Sequence, residues 1–214
     1  GAGLVCSFSH HTSFARPTKE EFLSNANSVL GQASAAWNEA GKVILTLGTA
    51  WCFEYVRTGE IVSNCLKIDG KEFNRRRLGV GETAALLRNM VMRQQDKDFI
   101  FTISPIRHLK DGAHGNQLSK STLLLGVDEV IKAFPERVDY FPAYEIFMDE
   151  LRDYRFYAPD MTHPSEQATD YIWSRFVDWA VPERDMPELG RRRKELAASR
   201  HRPINFSYIR GLDI

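Results

Sequence analysis

What the sequence has little of narrows its chemistry first. Its 28 basic and 28 acidic side chains cancel, so no net field draws it to nucleic acid or to an anionic membrane surface. No apolar run is long enough to span a bilayer, and neither a nucleic acid nor a membrane is expected among its partners. The sequence has no GxxxxGK(S/T) and no GxGxxG, so nucleotide binding is not expected. Cysteine is scarce: Cys6, Cys52 and Cys65 form no CxxC pair and no metal-ligand spacing. Buried free thiols are the expected reading, with Cys52 facing Cys65 across a hairpin as the alternative. The opening GAGLVCSFSH lacks the basic-then-apolar order of a secretion signal. A cytoplasmic location is therefore the expectation for the chain as given, with export of a longer precursor left open.

What is present points to a packed domain. The chain has 214 residues, 43% of them hydrophobic and 13 of them phenylalanine, enough for one substantial core. Thr18 and Glu21 form a capping box ahead of a helix over residues 18–40. The run KVILTLGTAW then reads as a strand buried on both faces, and Thr58-Gly59 sits between two alternating arms as a hairpin turn. Helical spacing returns over residues 79–95, with Leu86, Leu87, Met90 and Val91, and over 116–134, with Leu123, Leu124, Val127 and Ile131. Buried-strand patterns begin at DFIFTISPIRH and at RVDYFPAYEIF, which runs on into a loop, and a last helix covers residues 164–181. The alternation predicts an α/β fold, a three-layer sandwich around a mainly parallel sheet, with a β-hairpin insertion. Ligands in such sheets sit beyond the carboxyl ends of the strands. After Pro182 the chain becomes a charged extension, residues 182–214, whose Arg191 to Lys194 run reads as a solvated helix face.

Several residues fall where chemistry is expected. In YRFYAPDMTHPSEQATDYIW, Asp160 and His163 lie three positions apart before Pro164. A carboxylate that accepts from one imidazole nitrogen turns the other into a general base. The same residues also suit the polar start of a helix, where aspartate caps backbone donors, and spacing alone does not separate the two. His10 and His11 suggest a metal, yet no suitably spaced ligand accompanies them, so a pocket-lining or hydrogen-bonded role is expected. Arg107 and His108, with Lys110, follow a strand end where a substrate carboxylate or sugar hydroxyl can be held; a tied-down loop is the alternative. Trp51, Phe53 and Tyr55 read as one buried strand face before a sugar-stacking platform.

The stretches TLGTAW, TISPIRHLKDG and YFPAYEIFMDELRDYRFYAPDMTHPS, in that order, together with SFSHHTSF, resemble the GSCFA family, a bacterial branch of the SGNH (GDSL-like) hydrolases. The resemblance runs from about Phe8 to about residue 180, so residues 1–181 form the family-like domain. It implies ester hydrolysis, of acyl groups on a saccharide or another small carrier, with no metal or organic cofactor. It also implies His163 as base, Asp160 as its orienter, and Gly48 N–H with the Thr49 hydroxyl assisting the oxyanion; for Gly48 a tight turn is the competing reason. The family's Gly-Ser-Cys-Phe-Ala pentapeptide does not occur in this sequence, and the resemblance leads to the expectation that the first strand and the nucleophile turn are absent from it. Ser7, Ser9 and Ser104 are the serines to examine in its place. The rival reading is a non-catalytic remnant or fragment that binds a ligand or partner through the strand-end pocket. A sheet without its first strand is expected to expose an edge, through which a homodimer can form.

Overall fold

The computed structural model describes residues 3–200. Two compact units divide the chain, residues 1–169 and 170–214. In the first, the capping box holds: the Thr18 hydroxyl accepts from Glu21 N–H at 3.2 Å, and the Glu21 carboxylate accepts from Thr18 N–H at 3.3 Å. It starts helix α1 (Lys19–Glu39), which buries only Phe22 and Ala26 along its length. Near its end Trp37 packs against the core and donates to Gln94 Oε1 at 3.1 Å.

The parallel sheet has three strands in the order β1 (Lys42–Leu47), β5 (Asp98–Ile103) and β6 (Val138–Phe141), flanked by helices. The register pairs Lys42 with Asp98 and Phe99 with Val138. Phe99 and Phe101 are fully buried on the face that meets α2 (Val80–Arg93) and α3 (Gly112–Ala133), where Val43, Ala84, Val91, Val127 and Val130 complete the core. The central strand β5 is also buried on its other face, at Ile100 and Thr102. The expectation of burial on both faces fails for β1, where Ile44 is 52% exposed. β1 forms an edge of the sheet, so Lys42, Ile44 and Thr46 turn their backbone groups away from β5.

The hairpin insertion is larger than its two predicted arms. β2 (Trp51–Tyr55) pairs with the short β3 (Ile61–Val62) on one side and with β4 (Phe73–Arg77) on the other, both antiparallel. The Thr58-Gly59 turn is present, with Gly59 at φ +70°. β4 has the sequence FNRRR, and each arginine is committed. Arg75 pairs with Asp111 and lies over the Trp51 ring at 4.2 Å. Arg76 bridges Glu54 and Glu82, and Arg77 donates to Thr122 and to the Leu118 carbonyl. The three cysteines are free thiols; Cys6 is exposed and the other two are half-buried, not buried as predicted.

After β6 the chain enters α4 (Ala143–Glu145) and continues through Glu150 as a π-helical turn, where the sequence predicts a loop. α5 (Glu166–Ala180) spans the boundary between the units, and α6 (Met186–Arg200) completes the second. On α6, Arg191 and Arg192 pair with Glu188 and Arg191 also pairs with Glu195, as a solvated helix face should. No helix among the described residues is long and apolar enough to cross a membrane.

α2 and α3 cross at Gly126, where an added Cβ would lie 2.7 Å from Thr83 Cγ2. Thr83 cannot swing aside, because its hydroxyl donates to the Gly79 carbonyl at 2.9 Å. Gly126→Ala is expected to cost about 1–3 kcal/mol in chemical denaturation, and Thr83→Ser in the same chain to restore most of it. An unchanged midpoint for Gly126→Ala contradicts this packing.

Candidate active site

The site begins where β1 and β5 end. Parallel strands leave carbonyls without a neighbour at their carboxyl ends, and here two of them, Gly48 O and Ser104 O, each accept from Lys120 Nζ at 2.6 Å. Lys120 projects from α3 and is fully buried. Burial pushes its ammonium down to about 8, while the two carbonyls favour the charged form. Its neighbour Ser119 secures the next residues: Ala50 N–H donates to Ser119 Oγ at 2.7 Å, and the Thr49 and Ser119 hydroxyls are 3.0 Å apart. Trp51 N–H also donates to Thr49 Oγ1. The turn Gly48-Thr49-Ala50 is thus clamped to α3 by two adjacent side chains.

Gly48 itself does not owe its identity to the turn. Its φ lies outside the left-handed region, and a Cβ there would meet nothing within 4 Å. The expectation that the turn demands glycine is therefore corrected. What glycine provides is open space beside a half-buried backbone, and close approach of a ligand uses that space.

The Asp160 loop is closed on itself. Ala158 N–H donates to His163 O at 2.8 Å, Ser165 N–H to Phe156 O at 2.8 Å, and Met161 N–H to Ala158 O at 2.9 Å. Tyr157 and Pro164 form an isolated antiparallel bridge. Met161, at φ +59°, holds the unusual conformation that turns the chain back. Within this loop Asp160 Oδ1 accepts from the N–H groups of Thr162 and His163, both at 2.9 Å, and Oδ2 lies 2.6 Å from His163 Nδ1. One carboxylate oxygen thus accepts from backbone donors and the other contacts the imidazole, an arrangement compatible with both readings. Those N–H groups, with the imidazole, hold the Asp160 carboxyl far below the usual range. A depressed carboxylate contributes above its ordinary pKa and loses that contribution as pH falls through its folded value, so the pair persists in mild acid. The side chains are half open to solvent, 56% for His163 and 51% for Asp160. His163 Nε2 has no hydrogen-bond partner among the described residues.

Arg107 joins the loop to the strand end. Its N–H donates to Thr162 O at 3.3 Å, and its guanidinium lies over the Tyr157 ring at 4.3 Å. Tyr157 in turn packs edge-on against Phe147 of the π-helical turn. Between the β5 end and α3 lies a cleft of about 420 Å³, lined by Arg107, His108, Asn116, Gln117, Tyr144 and Met148 among others. Tyr144 donates to Gln117 Oε1 at 2.8 Å, and the Asn116 side chain accepts from His108 N–H at 3.0 Å.

The remaining candidates lie elsewhere in the bonding network. His10 packs against Phe14 and Phe22, and His11 caps a short 3-10 turn by accepting from Ser13 N–H. None of these partners belongs to the Asp160 loop. Ser7 Oγ accepts from Ser9 N–H and Ser104 Oγ from Ile106 N–H; neither these serines nor Ser9 is bonded to His163. Trp51 and Phe53 lie near Arg75, and Tyr55 contacts Phe8 and Phe73. No cluster of three His, Cys, Asp or Glu side chains among the described residues could hold a metal ion. Lys120 and Ser119 are the site residues that sequence reasoning missed. Their signal was an adjacent Ser-Lys pair on the buried stripe of a helix, where a lysine needs a partner.

Lys120 makes a pH-dependent contribution whose sign is fixed. Its folded pKa lies below its unfolded value, so between about 8 and 10.5 the unfolded chain binds more protons. Stability then rises with pH across that window, on the order of 3 kcal/mol. Denaturation of the wild type and Lys120→Met at pH values through this range should show the rise in the former alone; parallel profiles contradict it.

A model described as the GSCFA family matches residues 2–176. No curated protein and no solved structure matches significantly. The match takes in the Gly48 turn, the Arg107 strand end and the Asp160–His163 loop, and over that span the chain belongs to the GSCFA family.

Proposed function

We propose that the site is that of an SGNH-type ester hydrolase acting on acyl groups carried by a saccharide or another small carrier. The observation that carries this reading is the 2.6 Å contact between Asp160 Oδ2 and His163 Nδ1, on a half-exposed imidazole whose Nε2 has no hydrogen-bond partner among the described residues. In this mechanism Nε2 takes the proton of a serine hydroxyl as its oxygen attacks the acyl carbon. The tetrahedral oxyanion forms beside Gly48, where the backbone is open. His163 then gives the proton to the departing alkoxide, and water repeats the sequence to release the acid. Asp160 fixes the tautomer and stabilises the imidazolium at each step.

A second reading, ligand binding without turnover, is favoured by one observation: no serine hydroxyl of the described residues is bonded to His163. A fluorophosphonate, which traps activated serines, separates the two. A single adduct seen by intact mass, and lost in His163→Ala, is the expected result and identifies the nucleophile by peptide mapping. No adduct on chain shown to be folded leaves the binding reading in place.

Gly48→Ala gives an independent check, because a methyl there meets no protein atom within 4 Å. The fold should be kept and turnover of a small acyl ester should fall by roughly 10-fold or more, as the oxyanion space closes. Equal turnover moves the oxyanion site away from Gly48.

A further inference from the structure

The cleft beside the Asp160 loop has a one-sided charge. Arg107 is the charged residue of its lining, and no carboxylate lines it. Arg107 is half-buried, with its guanidinium over the Tyr157 ring and its backbone engaged by Thr162 O. Yet no carboxylate or carbonyl among the described residues accepts from its guanidinium. A partly desolvated guanidinium ordinarily has an oxygen acceptor, and its planar fork matches a carboxylate or phosphate.

Two further features face the same cleft. Gly112 and Ala113 line it, and they open α3, a helix of 22 residues whose start carries no side-chain cap. The residue in the cap position, Asp111, is buried and committed to Arg75, while Gly112 N–H is taken by Leu109 O. The positive end of the α3 dipole therefore adds to the field of Arg107. His108 lines the cleft as well, and its buried Nε2 has no partner among the described residues, an unsatisfied group of the kind that calls for an explanation.

We propose that this cleft binds an oxyanionic group, a carboxylate or a phosphate, with Arg107 as its ion-pairing residue. The proposal rests on the hydrolase reading only in taking that anion to be part of the substrate, close to its acyl ester. Esters of acidic sugars, or of sugar phosphates, are then the substrate class, and neutral sugar esters are poorer ones.

The test uses three probes on the full chain at low salt: glucose, glucuronate and glucose 6-phosphate, titrated calorimetrically. At least one charged sugar should bind about tenfold or more tightly than glucose. Which of them does so distinguishes a carboxylate from a phosphate ligand. Arg107→Gln should remove the advantage, and Arg107→Lys should keep part of it, with circular dichroism verifying that each variant is folded. Equal affinities, no saturation by either anion up to about 20 mM, or an advantage that survives in Arg107→Gln overturns the proposal. The readout is binding, so it is separable from turnover. A labelled serine without anion preference removes this inference alone, and anion preference without a labelled serine removes the hydrolase reading and leaves the site.

Discussion

Strand ends in a parallel sheet carry carbonyl oxygens with nothing left to bond, and in this protein one buried ammonium answers two of them. Lys120 reaches Gly48 O and Ser104 O from α3, so one side chain ties the helix to both strand ends, just past the last ladder bond between Ser104 N–H and Leu47 O. Burying a lysine is unfavourable by itself. It persists here because both strand ends, and through Ser119 the whole Gly48 to Ala50 turn, take their places from that helix. The floor of the site is in this sense a property of α3 as much as of the sheet.

Arginine does the corresponding work around the rim. The three consecutive arginines of β4 tie the hairpin sheet to Asp111, to Glu82 and to Thr122, so the second sheet is fastened to α2 and α3 by charge and hydrogen bonds. Exposed pairs of this sort contribute little each, but Asp111 is buried and its partner Arg75 is pressed against Trp51. Arg107 differs from those three in being held by an aromatic ring and a backbone bond alone.

Much of the architecture could be read from the sequence because it was written in local signals. The Thr18–Glu21 box, the Thr58-Gly59 turn, and the apolar periods of α2, α3 and β5 all depend on residues a few positions apart. β4 was missed for the opposite reason: FNRRR has no apolar alternation, and it becomes a strand because β2 presents a free edge and because its arginines find distant acceptors. The π-helical turn after Glu145 is likewise a tertiary outcome with no marker of its own. The burial of β1 was overestimated because a run of apolar residues does not say whether its strand lies in the middle or at the edge. Asp160 and His163 were legible as a pair, but spacing did not reveal that one carboxylate serves both the backbone and the ring. Lys120 lay within a stretch correctly read as helix, and its partners stand 72 and 16 residues away in sequence.

The closure of the Asp160 loop has a consequence for how errors propagate through the molecule. Asp160 and His163 are separated by two residues, inside a loop whose ends are joined by backbone bonds. Bringing them together therefore costs little chain entropy, and their mutual geometry is fixed by a segment shorter than one helix of the fold. A substitution that loosens the sheet shifts the pair as a unit relative to Gly48 and leaves its internal hydrogen bond intact. Damage and repair of the dyad are then separate events from damage and repair of its placement, and the loop is a self-contained part that a different scaffold could carry.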